Sequence, residues 1–429
     1  MIISLLLGCI ADRIRITEQG DVILETIQVV LLLIMLLLIN LLCIFTEPKI
    51  QIIMENKPFI FGVATSGDNF TDREKETARL LSNFTHGINT ILISPRRWGK
   101  TSLVKKVCNL AQSSQLKIVY LDIFSCRTDN EFYTAFASSV LKQTSSKFED
   151  LMGNAKIFLS RISPIFTIGP DPMGDFSISF ELNQKSNDVD EILQLPEKIA
   201  KKKGFSIVIC IDEFQQIAEF KDSKSLLKRL RSVWQLQQSV SYCLFGSKKH
   251  LMNELFEKRS LPFYKFGDVM YLPKISTDDW ISFICERFEC TGKSISKVLA
   301  ERICLTVDNH SSYVQQLAWL IWIHTKEKAT EENFADAQQD LIDQNSPLFE
   351  KQTENLSSYQ MNFLRALVDG VKSEFSTQEV LQKYQLGSSA NVSIIKRALI
   401  KKELIEIDNK QISLADPVLK LWLMKQLPL

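Results

Sequence analysis

The sequence predicts an α/β protein with a doubly wound parallel sheet, followed by a helical lid and a C-terminal winged helix. Three observations carry this prediction. Short apolar runs at 91–93, 117–124, 205–211, 240–247 and 268–272 alternate with segments of helical spacing, the signature of parallel strands joined by crossover helices. After Lys274 the strand signals stop and amphipathic helices take over. From about Ser357 three further helical patterns lead into LIEIDNKQISLADP, two short β runs about an Asp-Asn turn.

Taken in order, the first strand at Ile91–Ile93 ends in SPRRWGKTS, and the helix that follows repeats apolar residues at Leu103, Val107 and Leu110. KIVYLDIF reads as the second strand and 129–141 as its returning helix. Between Phe166 and Leu182, Gly, Pro and Asp separate two alternating runs, which predicts a hairpin inserted in the α/β core. A helix over 188–203 leads to FSIVICIDEF, a buried strand that stops at two carboxylates. VSYCLFGS and DVMYL supply the fourth and fifth strands. DDWISFICERF, KVLAERICLTV, SYVQQLAWLIWIHTK and ENFADAQQDLID form the lid helices. The resulting domains are an extension at 1–53, a core at 54–274, a lid at 275–345 and a winged helix at 346–429.

With 429 residues, 51 Lys and Arg against 50 Asp and Glu, and 45% hydrophobic residues, the chain has the composition of an ordinary multidomain globular protein. A formal charge of +1 excludes a global basic field, so any nucleic-acid contact needs a local patch. Nine cysteines form no CxxC pair and several fall in apolar runs, which predicts buried thiols in a reducing cytosol rather than disulfides or a metal site.

The extension poses a separate question. Ile27 to Phe45 is uncharged over 19 residues, long enough to span a bilayer as a helix. Arg13 and Arg15 precede it, a charge bias that would leave the core on the far side of the membrane from ATP. Two readings stand: a membrane anchor, or a natural start at Met54 with 1–53 arising from an upstream start.

The stretch Ser94-Pro95-Arg96-Arg97-Trp98-Gly99-Lys100-Thr101-Ser102 lies between a strand and a helix, the context in which GxxxxGK[ST] becomes a phosphate loop. Backbone N–H groups and the positive helix end would cradle phosphate oxygens, and Gly99 would let the backbone approach closely. Lys100 would meet the β and γ phosphates, and Thr101 would offer its hydroxyl to magnesium. Ser94, not glycine, opens the loop, followed by Pro95, so its entry must use ordinary backbone angles. At the tip of the third strand of the parallel series, Asp212 would hold magnesium and Glu213 would polarise the attacking water as general base. Ser247 would sense the γ-phosphate from the next strand. Arg96 and Arg97 would meet phosphate or a partner subunit, and Arg259 is a candidate arginine finger across an interface. ATP and Mg2+ are the cofactors these residues imply.

FTDREKE (70–76), SPRRWGKTSL (94–103), VICIDEFQQI (208–217), FGSKKHLMNELF (245–256) and SSYVQQLAW (311–319) resemble the archaeal-type ATPase group of the AAA and STAND NTPases, over about residues 57–425. The resemblance implies that 70–76 lines an adenine pocket, with Arg73 and Glu74 near the base. It implies that Asn309 to Tyr313 is a nucleotide-sensing lid motif, with serine where the family has proline before the aromatic. By base rate, His310 reads as a capping or surface residue. Lys396, Arg397, Lys401 and Lys402 make a locally basic helix and turn in the winged helix, suited to duplex DNA or to a protein partner. Two functions follow: an ATP-driven conformational switch with slow turnover and self-association, or an ATP-dependent DNA-binding protein of origin-recognition or mobile-element type.

Overall fold

The computed structural model describes residues 57–63, 71–145, 165–170, 176–181, 186–408 and 410–426. The apolar stretch 27–45 and both readings of it lie outside the described residues, as does Phe70.

Helix α1 (Glu74–Thr85) precedes strand β1 (Thr90–Ile93), and α2 (Lys100–Ala111) follows the loop at 94–99. Then come β2 (Leu116–Asp122), α3 (Asp129–Thr144), the hairpin β3 (Ile165–Pro170) and β4 (Phe176–Glu181), and α4 (Ser186–Lys203). Strand β5 (Ser206–Asp212) ends in a 3-10 turn at Phe214–Glu219, followed by α5 (Ser223–Trp234), β6 (Val240–Gly246), α6 (Lys249–Glu257) and β7 (Asp268–Tyr271). The five core strands form one parallel sheet in the order β2-β5-β6-β1-β7, and β3 pairs antiparallel with β4, matching the five strands and the hairpin the sequence predicts.

Alternation along each strand explains why both sheet faces need helices. Ile207, Ile209 and Ile211 of β5 join one apolar cluster with Val240, Tyr242 and Leu244 of β6 and with α3, α4 and α5. Val208, Cys210, Cys243 and Phe245 join the opposite cluster with Leu103, Val104 and Val107 of α2. Burying each such side chain is worth about 1.5–3 kcal/mol, so a strand apolar on both faces is stable only between two helical layers. Trp234 stacks on Tyr242 with centroids 4.0 Å apart and closes the first layer.

The C-terminal half is helical: α7 (Thr277–Glu289), α8 (Lys297–Thr306), α9 (Ser311–His324), α10 (Glu331–Thr353), α11 (Ser358–Val368), α12 (Gln378–Lys383) and α13 (Ser389–Lys401). Hairpin β8 (Ile405–Asp408) and β9 (Gln411–Leu414) and helix α14 (Pro417–Gln426) complete it. Side-chain caps at Ser276, Ser296, Thr330, Ser357 and Ser388 satisfy the first N–H groups of their helices. The boundary drawn at 345/346 falls inside α10, which runs unbroken through Pro347. Asn345 and Ser346 back-bond to the carbonyls of Leu341 and Ile342 around that proline. The lid and the winged helix share one hydrophobic core, from Trp280 and Phe288 through Phe349 to Trp422 and Leu423. Phe59 of the segment 57–63 joins the same core against Phe288, centroids 5.8 Å apart.

Of the cysteines among the described residues, Cys108, Cys126, Cys210, Cys243 and Cys304 are buried free thiols, while Cys285 is half-buried and Cys290 exposed. No His, Cys, Asp and Glu cluster suited to a metal occurs among the described residues. No helix among them is long and apolar enough to cross a membrane.

Candidate functional site

The loop from Ser94 to Gly99 joins the C-terminal end of β1 to the N-terminus of α2. Ser94 is fully buried and donates its hydroxyl to the Pro95 carbonyl at 3.1 Å, so the loop entry keeps ordinary angles, as the Ser-Pro pair requires. The left-handed residues come later, at Arg97 (φ 63°) and Gly99 (φ 88°). Gly99 is the residue before α2 and its carbonyl accepts from Leu103 N at 2.9 Å, which starts the helix. Glycine tolerates that angle without strain, and it leaves the first amides of α2 open.

Lys100, the first residue of α2, is only 6% exposed, and its Nζ lies 3.8 Å from Glu213 Oε1. A buried ammonium requires a compensating anion, and Glu213 supplies it. Thr101 Oγ1 donates to Asp212 Oδ2 at 3.2 Å across the gap between α2 and the tip of β5. Tyr120 OH, on the neighbouring strand β2, donates to the same Oδ2 at 2.8 Å, and Asp212 Oδ1 accepts the Glu213 N–H at 2.9 Å. Burial pushes the Asp212 carboxyl above the ordinary aspartate value, while the Lys100 charge and the Tyr120 hydrogen bond pull it back. The hydroxyl of Thr101 and the carboxylate of Asp212 are hard oxygen donors of the kind Mg2+ takes alongside phosphate oxygens and waters, so the residues fit that ion.

Glu213 has left-handed backbone (φ 55°), which turns its side chain back over the sheet end. Its Oε2 accepts from Ser247 Oγ at 2.9 Å and from Gln215 Nε2. Gly246 makes room for this arrangement: a Cβ there would stand 1.7 Å from Gln215 Oε1. Arg96 Nε reaches Ser247 Oγ at 3.4 Å, and its guanidinium lies 3.6 Å from Glu403. Residues far apart in sequence, Lys100, Thr101, Asp212, Glu213, Ser247 and Arg96, thus meet at one end of the sheet. Tyr120, Gln215 and Gly246 were not singled out from the sequence; a lone tyrosine inside a buried strand carries no local signal of its partner.

A cavity of about 350 Å3 adjoins the loop, lined by Gly62, Arg73, Trp98, Thr101, Trp280 and Gln315 among others. Arg73 is buried and donates to the Trp98 carbonyl at 3.3 Å, whereas Glu74 is exposed and does not line the cavity. Ile60 N donates to Gln315 Oε1 at 2.8 Å, tying the segment 57–63 to the lid helix α9. Ser102 is buried in the first turn of α2. Trp98 carries Lys274 Nζ 5.5 Å from its ring centroid, and Pro95 lines a second hollow between core, lid and wing.

Expected as a capping or a surface residue, His310 stands at a helix cap but is not on the surface. It occupies the N-cap position of α9 without making a side-chain cap, is 8% exposed, and lies 4.7 Å from the Tyr313 ring. Burial lowers its pKa to about 4; Asp416 opposes that shift, and Arg97 and Lys274 add to it. Tyr313 OH donates to Asp416 Oδ2 at 2.6 Å, joining the lid motif to the start of α14. Arg259 is exposed beyond α6. In the winged helix Arg397, Lys401 and Lys402 are exposed, but Lys396 is half-buried with its amine 5.4 Å over the Phe375 ring.

Residues 70–265 match the family model described as an ATPase domain predominantly from Archaea, and residues 347–425 match a probable winged helix domain. The structure is similar to a Walker-type ATPase of Pyrococcus abyssi, with a TM-score of 0.59 and 16% identity over 85% of this chain and 99% of that one. It is also similar to the Aeropyrum pernix ORC2 protein in its ADPNP and ADP complexes, with a TM-score of 0.51 and 14% identity over 82% and 94% of the two chains. No curated protein sequence matches the chain.

Proposed function

We propose, from the match of residues 70–265 to an ATPase domain model predominantly from Archaea and of 347–425 to a probable winged helix domain, that the chain hydrolyses magnesium-ATP as a slow conformational switch. The observation that carries the reading is the convergence of buried Lys100, 3.8 Å from Glu213, with Thr101 and Asp212 bonded at 3.2 Å, beside a cavity ringed by the loop and the lid.

In this reading the first amides of α2 and Lys100 hold the β and γ phosphates, and their charge grows more favourable as the transferring phosphoryl loses its bond to ADP. Thr101 and Asp212 would hold Mg2+, which would supply positive charge to the phosphate oxygens. Glu213 orients the attacking water and takes its proton. Ser247 and Gln215 occupy Glu213 Oε2 and so fix which way the carboxylate faces, a positioning role. Ser247 also reports the γ-phosphate. Arg73, Trp98 and the strap at 57–63 enclose the base and ribose.

The switch part of the reading is supported by connectivity. Gln315, Ser311 and Trp280 of the lid line the cavity and the lid shares its core with the winged helix, so lid closure on nucleotide moves both together. A second reading, ATP-licensed binding of duplex DNA, is favoured by the exposed Arg397, Lys401 and Lys402. Phosphate contacts weaken steeply with salt, so DNA affinity measured at two ionic strengths separates it from protein recognition. Self-association, with Arg259 reaching a neighbouring subunit's phosphates, is the third element of the proposal, checked by sedimentation with and without nucleotide.

Binding and turnover test the site. Lys100→Ala should abolish nucleotide binding. Glu213→Gln should keep binding and lower kcat by about 100- to 10,000-fold, the contribution of general-base catalysis. Equal turnover by wild type and Glu213→Gln would remove the base assignment.

A further inference from the structure

The turn that follows α13 carries an acidic side chain into the phosphate end of the site. Glu403, with left-handed backbone (φ 57°), donates its N–H to the Ile400 carbonyl at 2.9 Å, and the next residue, Leu404, is buried and bonded to the Leu399 carbonyl at 3.0 Å. The carboxylate is therefore presented from a fixed turn. It lies 3.6 Å from Arg96 of the phosphate loop and 3.8 Å from Lys248, the residue after Ser247. Lys248 also holds Glu219 at 2.8 Å. Strand β8 of the wing extends the same pattern: Asp408 pairs with Lys249 at 3.4 Å, and Glu406 lines one hollow with Lys249 and Lys274.

The carboxylates of Glu403 and Asp408 fit a cationic rim, and here the rim is the edge of the phosphate site. A continuous polar chain runs from the wing to the loop lysine: Glu403 to Arg96, Arg96 to Ser247, Ser247 to Glu213, Glu213 to Lys100. Any group that brings negative charge between Lys100 and Ser247 competes for Arg96. The third phosphate of ATP does so; ADP ends one phosphate short.

We propose that Glu403 is a positioning residue that stands in for the γ-phosphate, holding Arg96 and Lys248 against the winged helix until a nucleoside triphosphate displaces it. Arg96 then turns from the wing to the γ-phosphate, and the wing loses one of its anchors. ATP and ADP are thereby told apart by competition with a carboxylate of the same chain. The inference rests on the nucleotide site proposed above and adds the means by which that site signals to the winged helix.

The test is the affinity of the full protein for Mg2+ with a non-hydrolysable ATP analogue and, separately, with ADP, in wild type, Glu403→Gln and Glu403→Gly. Glycine tolerates the left-handed angle, so the second variant guards against a folding defect. Both variants should bind the analogue about two- to fivefold more tightly, the range an exposed ion pair supports, with ADP affinity unchanged. Hydrogen exchange over 403–414 in wild type should rise with the analogue and not with ADP. An unchanged ratio of analogue to ADP affinity in both variants, or an equal gain for both nucleotides, overturns the competition. Failure of the wild type to bind either nucleotide overturns instead the site on which it rests.

Discussion

Tyr120→Phe isolates one hydroxyl at the centre of the site. The ring stays, with its contact to Phe245 at 6.1 Å and Lys105 at 5.7 Å from its centroid, and only the bond to Asp212 Oδ2 at 2.8 Å is lost. A hydrogen bond to a charged acceptor contributes about 1.5–3 kcal/mol. Asp212 keeps Thr101 Oγ1 and the Glu213 N–H, and Tyr120 is half-exposed so that water replaces part of the bond, which brings the expected loss to about 1–2 kcal/mol. The second consequence is on the metal. Burial already disfavours the ionised Asp212, and Tyr120 is one of the groups that restore it and fix its orientation. Loss of such an outer partner weakens metal binding by about 10- to 100-fold, so the Mg2+ concentration for half-maximal ATPase activity should rise about tenfold. Urea unfolding and a Mg2+ titration of turnover measure the two effects. Unfolding stability that falls while the Mg2+ requirement stays at the wild-type value would refute Asp212 as the metal ligand, and no change in either would refute the hydrogen bond itself.

Two further outcomes follow from the same geometry. His310 has a pKa lowered from the ordinary 6.5 to about 4, so the stability its neutral ring contributes is complete above pH 6.5 and lost as pH falls through about 4. Wild type should lose about 3 kcal/mol more than His310→Phe over that window, read from urea midpoints at each pH, and parallel pH profiles would contradict the burial argument. At Gly99 a Cβ meets nothing within 4 Å but sits at φ 88°, so Gly99→Ala should cost only backbone strain, about 1–2 kcal/mol in thermal unfolding. Nucleotide affinity should fall by more than that strain explains, because the methyl group intrudes where phosphate approaches the loop; an unchanged affinity would place the phosphates elsewhere.

The sheet, the strand–loop–helix setting of residues 94–102 and the helical second half were legible in the sequence. Each rests on a local pattern: β5 is apolar at every position from Ile207 to Ile211, which demands burial on both faces, and Gly99-Lys100-Thr101 stands between a strand and a helix. The winged helix was legible for the same reason, since the helical patterns from about Ser357 and the short β runs at 405–414 are short-range signals. Which side chains meet follows from the packing of distant segments. Tyr120 reaches Asp212 because β2 pairs with β5 in one register, Gln215 fits only because residue 246 lacks a Cβ, and His310 is buried only because α9 packs against the core. The lid and winged helix were separable on paper at residue 345, yet α10 runs through that point and one apolar core covers both. Charge pairing at long range is the least legible of all: nothing near Glu403 announces Arg96, because a carboxylate finds its cation through the folded surface and not through its neighbours in the chain.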